Sequence, residues 1–478
     1  MKKIYLYIGL GILLGGSSCS EKDLLDTVPS TSISDANAFG SATRILGLVN
    51  GAYDAVKGAS LYGGRYLLYC DVRGEEFINV TANSYTAYES WNNSYNSGSN
   101  DINNLWSQAY TAINNANIII AGLAGSTGVI PDTLNAQYTA EAKYIRALCY
   151  FSLVTVYATP YNADQGASKG LPLRLQAETD DSNNDLARST VAEVYAQILA
   201  DLDAAEANLP DSYSSDLLNT TRAHKSTAIA LKTRVYLTMS NWTKVVEEAA
   251  KIVPQTTAPF STTSYGVKHA LQSDITTLFG TTYTTTESIF SMPMTSTDSY
   301  SGQSAIGYIY NANSEYYLNP SGILGSAQWG SSDKRRSLLR VASNLYYLKK
   351  YAKASPYVDY IPVIRYSEVL LNYAEAAAQT GNLALAANLL KAVHARSDAG
   401  YTFADGDVAT AAALVSTIAV ERRIELLGEG FRSGDLLRNL QTIPAKGSSS
   451  LQANAVEPSA SNYIFPAPNN ELTTNKLY

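Results

Sequence analysis

The sequence predicts a mostly α-helical fold in which tetratricopeptide-like helical hairpins stack as an α-solenoid and carry long irregular loop insertions with a few short strands. Three observations lead to this prediction. Apolar residues recur at helical spacing over several long segments, and two of these segments form an internal repeat. Two further stretches of the chain show no helical period. With 478 residues, 46% of them apolar, the chain is long enough to bury a large core.

Three long helices are predicted in the first half of the chain. Residues 104–124 carry apolar side chains three or four positions apart, and 138–157 are apolar nearly all round, which indicates a buried helix. Residues 190–209 form an amphipathic pattern. It begins at Thr190, with Glu193 three residues later, which is the signature of a capping box.

Two helical hairpins are predicted at 223–253 and 364–396, and they resemble each other. A shift of 141 residues aligns Ser240-Asn241-Trp242 with Gly381-Asn382-Leu383. In both, a helix is followed by a two-residue turn and an Ala-rich helix. Small residues allow two helices to pack closely, as in tetratricopeptide-type repeats, so the predicted helical scaffold covers about 104–253 and 364–440.

The two segments without helical period, 62–103 and 258–363, are rich in Ser, Thr, Asn, Gly and Tyr. Only 284–294 has the pattern of a short strand. Long loops on a rigid scaffold are a common arrangement for binding sites, and the aromatic content argues against disorder. We therefore expect these two segments to face a ligand.

Composition excludes several classes of protein. The net charge is −7 and no basic patch stands out, which disfavours nucleic-acid binding. The same overall charge disfavours polyanionic ligands through long-range repulsion, although local arginine clusters could reverse this. The longest apolar run, 4–16, is too short to span a bilayer, so a pore or transporter is excluded.

The N-terminus resembles the signal peptide of a bacterial lipoprotein. Lys2 and Lys3 precede the apolar run, which ends in Gly-Gly-Ser-Ser before Cys19. We predict that 1–18 is removed and that acylated Cys19 anchors the mature chain, since two or more acyl chains hold firmly in a membrane. An ordinary signal peptide with an incidental Cys19 remains the alternative. Cys70 and Cys149 would then be the other cysteines, and whether they form a disulfide is open.

Catalytic and metal-binding signals are weak. None of the three histidines has a zinc-binding spacing, and the usual nucleophile and phosphate-binding motifs are absent from the sequence. Glu421 and Glu425 lie four residues apart on one predicted helix face, but four arginines crowd the same segment. Arginine lowers the pKa of a carboxyl group, so we predict an ion-pair network instead of acid catalysis. For His394, a packed and hydrogen-bonded side chain is expected. No motif requires a cofactor or a metal.

A recognition surface has better support. Aromatic side chains alternate with Asn and Ser in 85–95 and recur in 300–329. Aromatic faces pack against sugar rings while short polar groups bind hydroxyls. The alternative is that these aromatic residues pin the loops to the core. The candidate ligand-binding residues are Trp91, Trp329, Tyr88, Tyr95, Tyr300, Tyr308, Asn92 and Asp71.

From Cys19 to Tyr478 the chain resembles the SusD/RagB family of Bacteroidetes nutrient-uptake lipoproteins. The matching blocks include LWSQAYTAINNANIII, AEAKYIRALCYFSLVTVY, ERRIELLGEGFRSGDLLR and the closing YIFPAPNNELTTNKLY, in the order usual for the family. This resemblance implies one SusD-like domain over 19–478. It also implies a non-catalytic, surface-exposed lipoprotein of the outer membrane that captures oligosaccharides or peptides. Its expected partner is a SusC-like, TonB-dependent β-barrel, over which it opens and closes like a lid.

Several alternatives remain open from the sequence. The ligand could be a peptide, although tryptophan and tyrosine among Asn and Ser favour a glycan. The protein could instead be a lipid-anchored glycoside hydrolase, for which Asp71, Glu75 and Glu76 would be the nearest carboxylates. A third alternative is an assembly scaffold without a small ligand.

Overall fold

The structure is a computed structural model that describes residues 38–280 and 282–478. The predicted signal peptide 1–18 and Cys19 lie outside these residues. The described residues form a mostly helical protein with five small two-stranded sheets, which confirms the predicted fold class. No described helix is long and apolar enough to cross a membrane.

Sixteen α-helices are present in the described residues. In chain order they are α1 Ala42–Lys57, α2 Arg65–Val72, α3 Tyr88–Trp91, α4 Asn100–Gly125, α5 Asp132–Tyr157, α6 Tyr161–Asp164, α7 Val191–Asn208, α8 Asp216–Thr221, α9 Lys225–Thr238, α10 Trp242–Ile252, α11 Tyr366–Gln379, α12 Leu383–Ser397, α13 Asp405–Val408, α14 Ala411–Glu425, α15 Arg432–Arg438 and α16 Asn469–Thr474.

The strands are short and pair only in antiparallel fashion. They are β1 Phe77–Asn79, β2 Ser261–Ser264, β3 Val267–Ala270, β4 Ser288–Met292, β5 Tyr316–Leu318, β6 Leu339–Ala342, β7 Leu345–Leu348, β8 Ile361–Arg365, β9 Lys446–Gly447 and β10 Gln452–Ala453. Strand β4 falls inside the predicted strand 284–294, and it pairs with β8.

The three predicted long helices are present as α4, α5 and α7. Helix α7 begins with the predicted capping box: Glu193 N–H donates to Thr190 Oγ1 at 3.2 Å, and Thr190 N–H donates to Glu193 Oε2 at 2.7 Å. Helix α5 packs between α4 and α7, and α7 packs on α9, so consecutive helices stack side by side.

The internal repeat is confirmed at the level of backbone geometry. Ser240 and Gly381 both adopt a left-handed conformation, with φ of 56° and 85°. The next residues, Asn241 and Asn382, have nearly equal dihedral angles (φ −87°, ψ 73° and φ −85°, ψ 69°), and each side chain caps the following helix. The pairs α9–α10 and α11–α12 are therefore the same structural unit used twice.

The segment 62–103 is less irregular than predicted, because it contains α2. All eight residues of this helix are buried, so its apolar residues do not alternate with exposed ones and the sequence shows no helical period. Cys70 lies on α2 and Cys149 on α5, and both are free, buried thiols. One continuous core runs from α1 to residue 465 and joins the helices to the irregular segments.

Candidate ligand-binding face

Two segments far apart in the chain meet in the β1–β5 sheet. Phe77 pairs with Leu318, Ile78 with Tyr317 and Asn79 with Tyr316, so the segment after α2 lies beside the segment around 310. These strands belong to the two segments that the sequence predicts to face a ligand. Their pairing brings both segments onto one part of the molecule.

The loop that follows β1 is tied to the β5 side by polar contacts. The buried Glu315 accepts hydrogen bonds from the hydroxyl groups of Thr81 and Thr86. The Tyr316 hydroxyl donates to the carbonyl oxygen of Thr86 at 2.7 Å, and Val80 N–H donates to Glu315 O at 3.1 Å. Buried groups that are hydrogen-bonded in this way hold a loop in one conformation.

The β6–β7 hairpin completes this surface. Its two turn residues, Ser343 and Asn344, have φ of 50° and 61°, as a type I′ turn requires. Val341 lies opposite Tyr346 and both are exposed, whereas Tyr347 is buried against Tyr317 with ring centroids 6.5 Å apart. We call the surface formed by residues 80–88, 308–318 and 339–348 the loop face.

Several aromatic and apolar side chains of the loop face are exposed to solvent. Tyr85 is 64% exposed, Val341 59% and Tyr346 39%, while Tyr317 is half-buried. An exposed group of this kind on a hydrogen-bonded scaffold is typical of a binding surface.

The two tryptophans that the sequence singles out are buried. Trp91 has no exposed surface; its Nε1–H donates to Phe77 O at 2.7 Å and its ring stacks on Tyr88. Trp329 is 2% exposed, and the Arg336 guanidinium covers its ring at 4.1 Å. In this conformation neither ring is open to a ligand, and both hold loops against the core, as the alternative interpretation expects.

Asp71 and Tyr95 are also buried. Asp71 accepts N–H bonds from Gly430 at 2.8 Å and Arg432 at 3.4 Å, and burial raises its pKa to about 7. The Tyr95 hydroxyl donates to Asn462 O at 2.5 Å. Asp71 therefore connects α2, and Tyr95 the segment after α3, to the C-terminal part of the chain.

The other four candidates are partly exposed. Tyr88 flanks Trp91, while Asn92 accepts bonds from the backbone and hydroxyl of Ser94. Tyr300 packs over Gly63, and Tyr308 meets Tyr357 edge to face at 6.1 Å. Direct ligand binding by the eight candidates stays a prediction, and only these four have surface to offer in this conformation.

Sequence reasoning missed the hairpin residues Arg340, Val341 and Tyr346. A signal was present, because Ser343-Asn344 separates two short runs rich in β-forming residues, as in a tight hairpin. The contact of this hairpin with Tyr317 joins residues that are distant in sequence, and no local pattern reports it.

The predicted ion-pair network at Glu421 and Glu425 is confirmed, but its partners come from elsewhere. Glu425 binds Arg335, Arg365 and Arg396 at 2.6 to 3.2 Å, and Glu421 binds Arg335 at 2.5 Å. Burial raises the pKa of Glu425, but the three arginines outweigh it and hold that pKa well below the usual range.

His394 belongs to the same network, since its Nδ1 lies 2.7 Å from Glu421 Oε2 in a buried site, as expected from the sequence. The arginines adjacent in sequence serve other carboxylates. Arg423 binds Glu76 and Arg432 binds Glu75, each at 2.6 Å.

Two of the carboxylates considered for a hydrolase, Glu75 and Glu76, are thus already bound by arginines. Burial raises the pKa of Glu75, but the hydrogen bond and charge of Arg432 outweigh it and lower that pKa. Burial raises the pKa of Glu76 against the opposing charge of Arg423. Within residues 38–280 and 282–478, no group of three or more His, Cys, Asp or Glu side chains could hold a metal ion.

A separate cleft lies among the helices. It is a narrow cleft of ≈ 70 Å³ between α5, α7, α9 and α15, lined in part by Tyr66, Phe151 and Phe431. Its Arg234 forms two 2.6 Å contacts with Glu368, and its Arg438 binds Glu375 at 2.6 Å. Because these charges already have partners, the cleft is a seam between packed helices.

Comparisons with known families cover nearly the whole chain. A family model described as "Starch-binding associating with outer membrane" matches residues 23–237, and the SusD family model matches residues 272–478. Among curated proteins, SusD-like protein P2 of Formosa agariphila is 26% identical over 257 residues, which are 53% of this chain and 46% of that protein. SusD-like protein P38 of the same organism is 24% identical over 92% of each chain. The alignments thus span about half the length of the first two curated relatives and most of the third.

Comparison with solved structures also points to the SusD family. A SusD superfamily protein from Bacteroides fragilis is 31% identical, with a TM-score of 0.83 over 92% of this chain and 99% of that one. A laminarin-binding SusD-like protein shares the fold at 21% identity, with a TM-score of 0.67 over 91% of this chain and 98% of that one.

Proposed function

The chain belongs to the SusD family, and from this membership we propose that it is a lipid-anchored binding protein of the bacterial cell surface. It captures an oligosaccharide and passes it to a SusC-like, TonB-dependent transporter in the outer membrane, over which it acts as a lid. Acylated Cys19 supplies the membrane anchor.

The observation that carries the ligand assignment is the loop face. Residues from three distant segments present aromatic rings on a surface that buried hydrogen bonds hold in place. Rings held in this way lose little freedom on binding and pack well against the C–H faces of sugar rings. We propose that Tyr85, Tyr88, Tyr308 and Tyr317 contact the ligand.

In the same proposal the buried candidates act indirectly. Trp91, Trp329, Tyr95 and Asp71 keep the loops of the site in position, while Tyr300 and Asn92 lie at its edge. Binding takes place without turnover in this proposal. Arginines lower the pKa of Glu75, Glu421 and Glu425, which makes them poor acid catalysts. Asp71 and Glu76 are buried, and their carboxylates already bind backbone N–H groups or Arg423.

Calorimetric titration tests the ligand assignment. The detergent-solubilised full chain is titrated with neutral and acidic oligosaccharides and with a mixed peptide digest, and the products are analysed afterwards. We expect saturable binding of one or more oligosaccharides and no cleavage. Binding of peptides alone would reject the glycan assignment, and cleavage products would reject the non-catalytic one.

A variant pair locates the site. Tyr85→Ala removes a side chain that is 64% exposed, so we expect the fold to be preserved while glycan affinity falls. Leu217→Ala, which truncates an exposed apolar side chain on α8, is the matched control. Equal affinities in both variants would place the site away from the loop face.

Anchoring and partnership need a test in cells. Cys19→Ala is expected to move the protein out of the outer-membrane fraction, and the native chain is expected to co-purify with a TonB-dependent barrel. A Cys19→Ala variant that stays in the membrane would contradict the lipid anchor. Purification of the native chain without any barrel would contradict the transporter role.

A further inference from the structure

The β6–β7 hairpin and its flanks carry positive charge in a chain that is negative overall. Between residues 334 and 353 there are seven Lys and Arg residues and no Asp or Glu, whereas the whole chain has a net charge of −7. Arg335 and Lys350 turn inward and pair with buried Glu421 and Glu429. Within the described residues the charged side-chain nitrogens of the other five form no ion pair within 4 Å: Lys334, Arg336, Arg340, Lys349 and Lys353.

Arg340 is held in one position by groups that leave part of its guanidinium free. Its Nε donates to Asn311 Oδ1 at 3.1 Å, and its Nη2 donates to Ser314 Oγ at 2.6 Å and to Asn311 O at 3.1 Å. The guanidinium also stacks on the Tyr347 ring at 4.6 Å. Its Nη1 has no partner among the described residues and is not enclosed. A fixed arginine of this kind is ready to bind an oxyanion.

Cationic groups and aromatic rings alternate across the hairpin. On one face Arg340 lies on Tyr347, which meets the half-buried Tyr317. On the other face the exposed Tyr346 stands near Arg336, whose guanidinium covers Trp329. Lys349 follows β7 directly and is exposed. A ligand on either face of the hairpin therefore meets one accessible ring, Tyr317 or Tyr346, beside an arginine.

We propose that the hairpin binds the acidic groups of the oligosaccharide ligand, so that the substrate class is a glycan bearing carboxylate or sulfate groups. This inference rests on the proposed glycan-binding function and narrows it. The overall negative charge does not oppose it, because charges farther away than about 8 Å are largely screened at physiological salt. The charged residues of the hairpin and of residues 334–353 are all positive, and Arg340 presents N–H groups suited to an oxyanion.

Matched glycans test the charge requirement. One pair is oligogalacturonate and its fully methyl-esterified form, and the other is κ-carrageenan oligosaccharide and its desulfated form. The solubilised full chain is titrated with each at 50 and 500 mM NaCl. We expect the acidic member of at least one pair to bind roughly tenfold more tightly than its neutral counterpart, since bonds to charged groups are the stronger ones. We also expect this preference to shrink at high salt.

Variants assign the effect to the hairpin. Arg340→Gln and Lys349→Gln each remove one positive charge. Lys349 is exposed and its side chain forms no ion pair within the described part of the chain, so Lys349→Gln tests the charge without loss of the contacts that Arg340 makes with Asn311 and Ser314. We expect each to weaken binding of the acidic glycan about five- to tenfold more than it weakens binding of the neutral counterpart. Lys391→Gln removes an exposed charge from α12 and is the control for net charge. Arg340→Lys tests whether the guanidinium shape matters beyond its charge.

The outcomes separate the two proposals. Equal affinity for charged and neutral partners, or hairpin variants that behave like Lys391→Gln, would overturn the acidic-glycan inference and leave glycan binding intact. Absence of binding to every oligosaccharide would overturn both. Poly-L-glutamate binding as tightly as oligogalacturonate would assign the hairpin to acidic peptides and contradict the inference.

Discussion

A histidine buried between two aromatic rings makes the stability of this protein depend on pH. His269 on β3 has no exposed surface and lies between His224 and Tyr366, with ring centroids 6.3 and 5.8 Å away. Neither of its ring nitrogens has a hydrogen-bond partner among the described residues. Burial lowers its pKa from 6.5 to about 4, because the charged form would be desolvated.

The sign and size of the effect follow from this shift. Above pH 6.5 the ring is neutral in both the folded and the unfolded chain, and its contribution to stability is fully present. As the pH falls from 6.5 towards 4, the unfolded chain binds a proton that the folded chain does not, so stability is lost. At pH 5 the loss from His269 is about 2 kcal/mol, at 1.36 kcal/mol per pH unit below 6.5.

The total pH profile does not isolate this contribution. Burial raises the pKa of Asp71 to about 7 and that of Asp101 to about 6. The folded chain takes up these two protons as the pH falls while the unfolded chain does not, which stabilises the fold and opposes His269. A difference between two proteins at each pH removes these shared contributions.

The assay is urea unfolding of wild type and His269→Phe at pH 8, 7, 6 and 5, followed by circular dichroism of the helices. Phenylalanine keeps a ring in the stack and cannot titrate. The free-energy difference between the two proteins should change by about 2 kcal/mol between pH 8 and pH 5, in favour of the variant. Tyr366→Phe, in the same stack, is the control and should show a constant difference. A constant difference for His269→Phe as well would refute the reasoning.

Three further substitutions test other parts of the fold, each by the change in the free energy of unfolding in urea. In Gly381→Ala the new methyl group meets no neighbouring atom, but alanine is forced into the left-handed region, so the free energy of unfolding should fall by about 1 kcal/mol. Gly51→Ala, at an ordinary helical position, should raise the free energy of unfolding. The same sign for both variants would contradict the turn geometry. Glu425→Gln leaves buried arginines without a negative partner and should lower the free energy of unfolding by about 3 to 5 kcal/mol. Glu247→Gln, at an exposed ion pair, should lower it by less than about 1 kcal/mol. Similar losses in both variants would show that the buried network contributes little to stability. Thr190→Ala removes the capping box and should cost about 1 kcal/mol, and an unchanged midpoint would mean that the cap is dispensable.

Local patterns were sufficient to predict the helical scaffold. The capping residues at Thr190 and Glu193 act within one turn of helix, and the repeat at Ser240 and Gly381 depends on dihedral angles of neighbouring residues. Such signals are contained in short stretches of sequence. Helix α2 was not predicted from such signals, because all of its faces are buried and a uniformly buried helix has no amphipathic period.

The candidate site depended on contacts that short stretches do not contain. Trp91 lies in a polar segment, which is typical of an exposed aromatic residue, yet it is buried against Phe77 and lies 5.6 Å from the Lys446 ammonium group. Glu425 has four arginines near it in sequence, but its partners are 29 to 90 positions away. In both cases the residue type indicates which kind of contact the side chain makes, a hydrogen bond or an ion pair. It does not indicate which residue provides that contact.

The sequence by itself determined the long helices of the scaffold, the repeat, the family and the need for a buried ion-pair network, because each depends on residue types and short spacings. The tertiary structure decided which aromatic rings are exposed and which cations stay unpaired. Those properties depend on what is packed against a side chain, and the neighbours of Tyr317 and Arg340 come from strands and turns that only folding brings together.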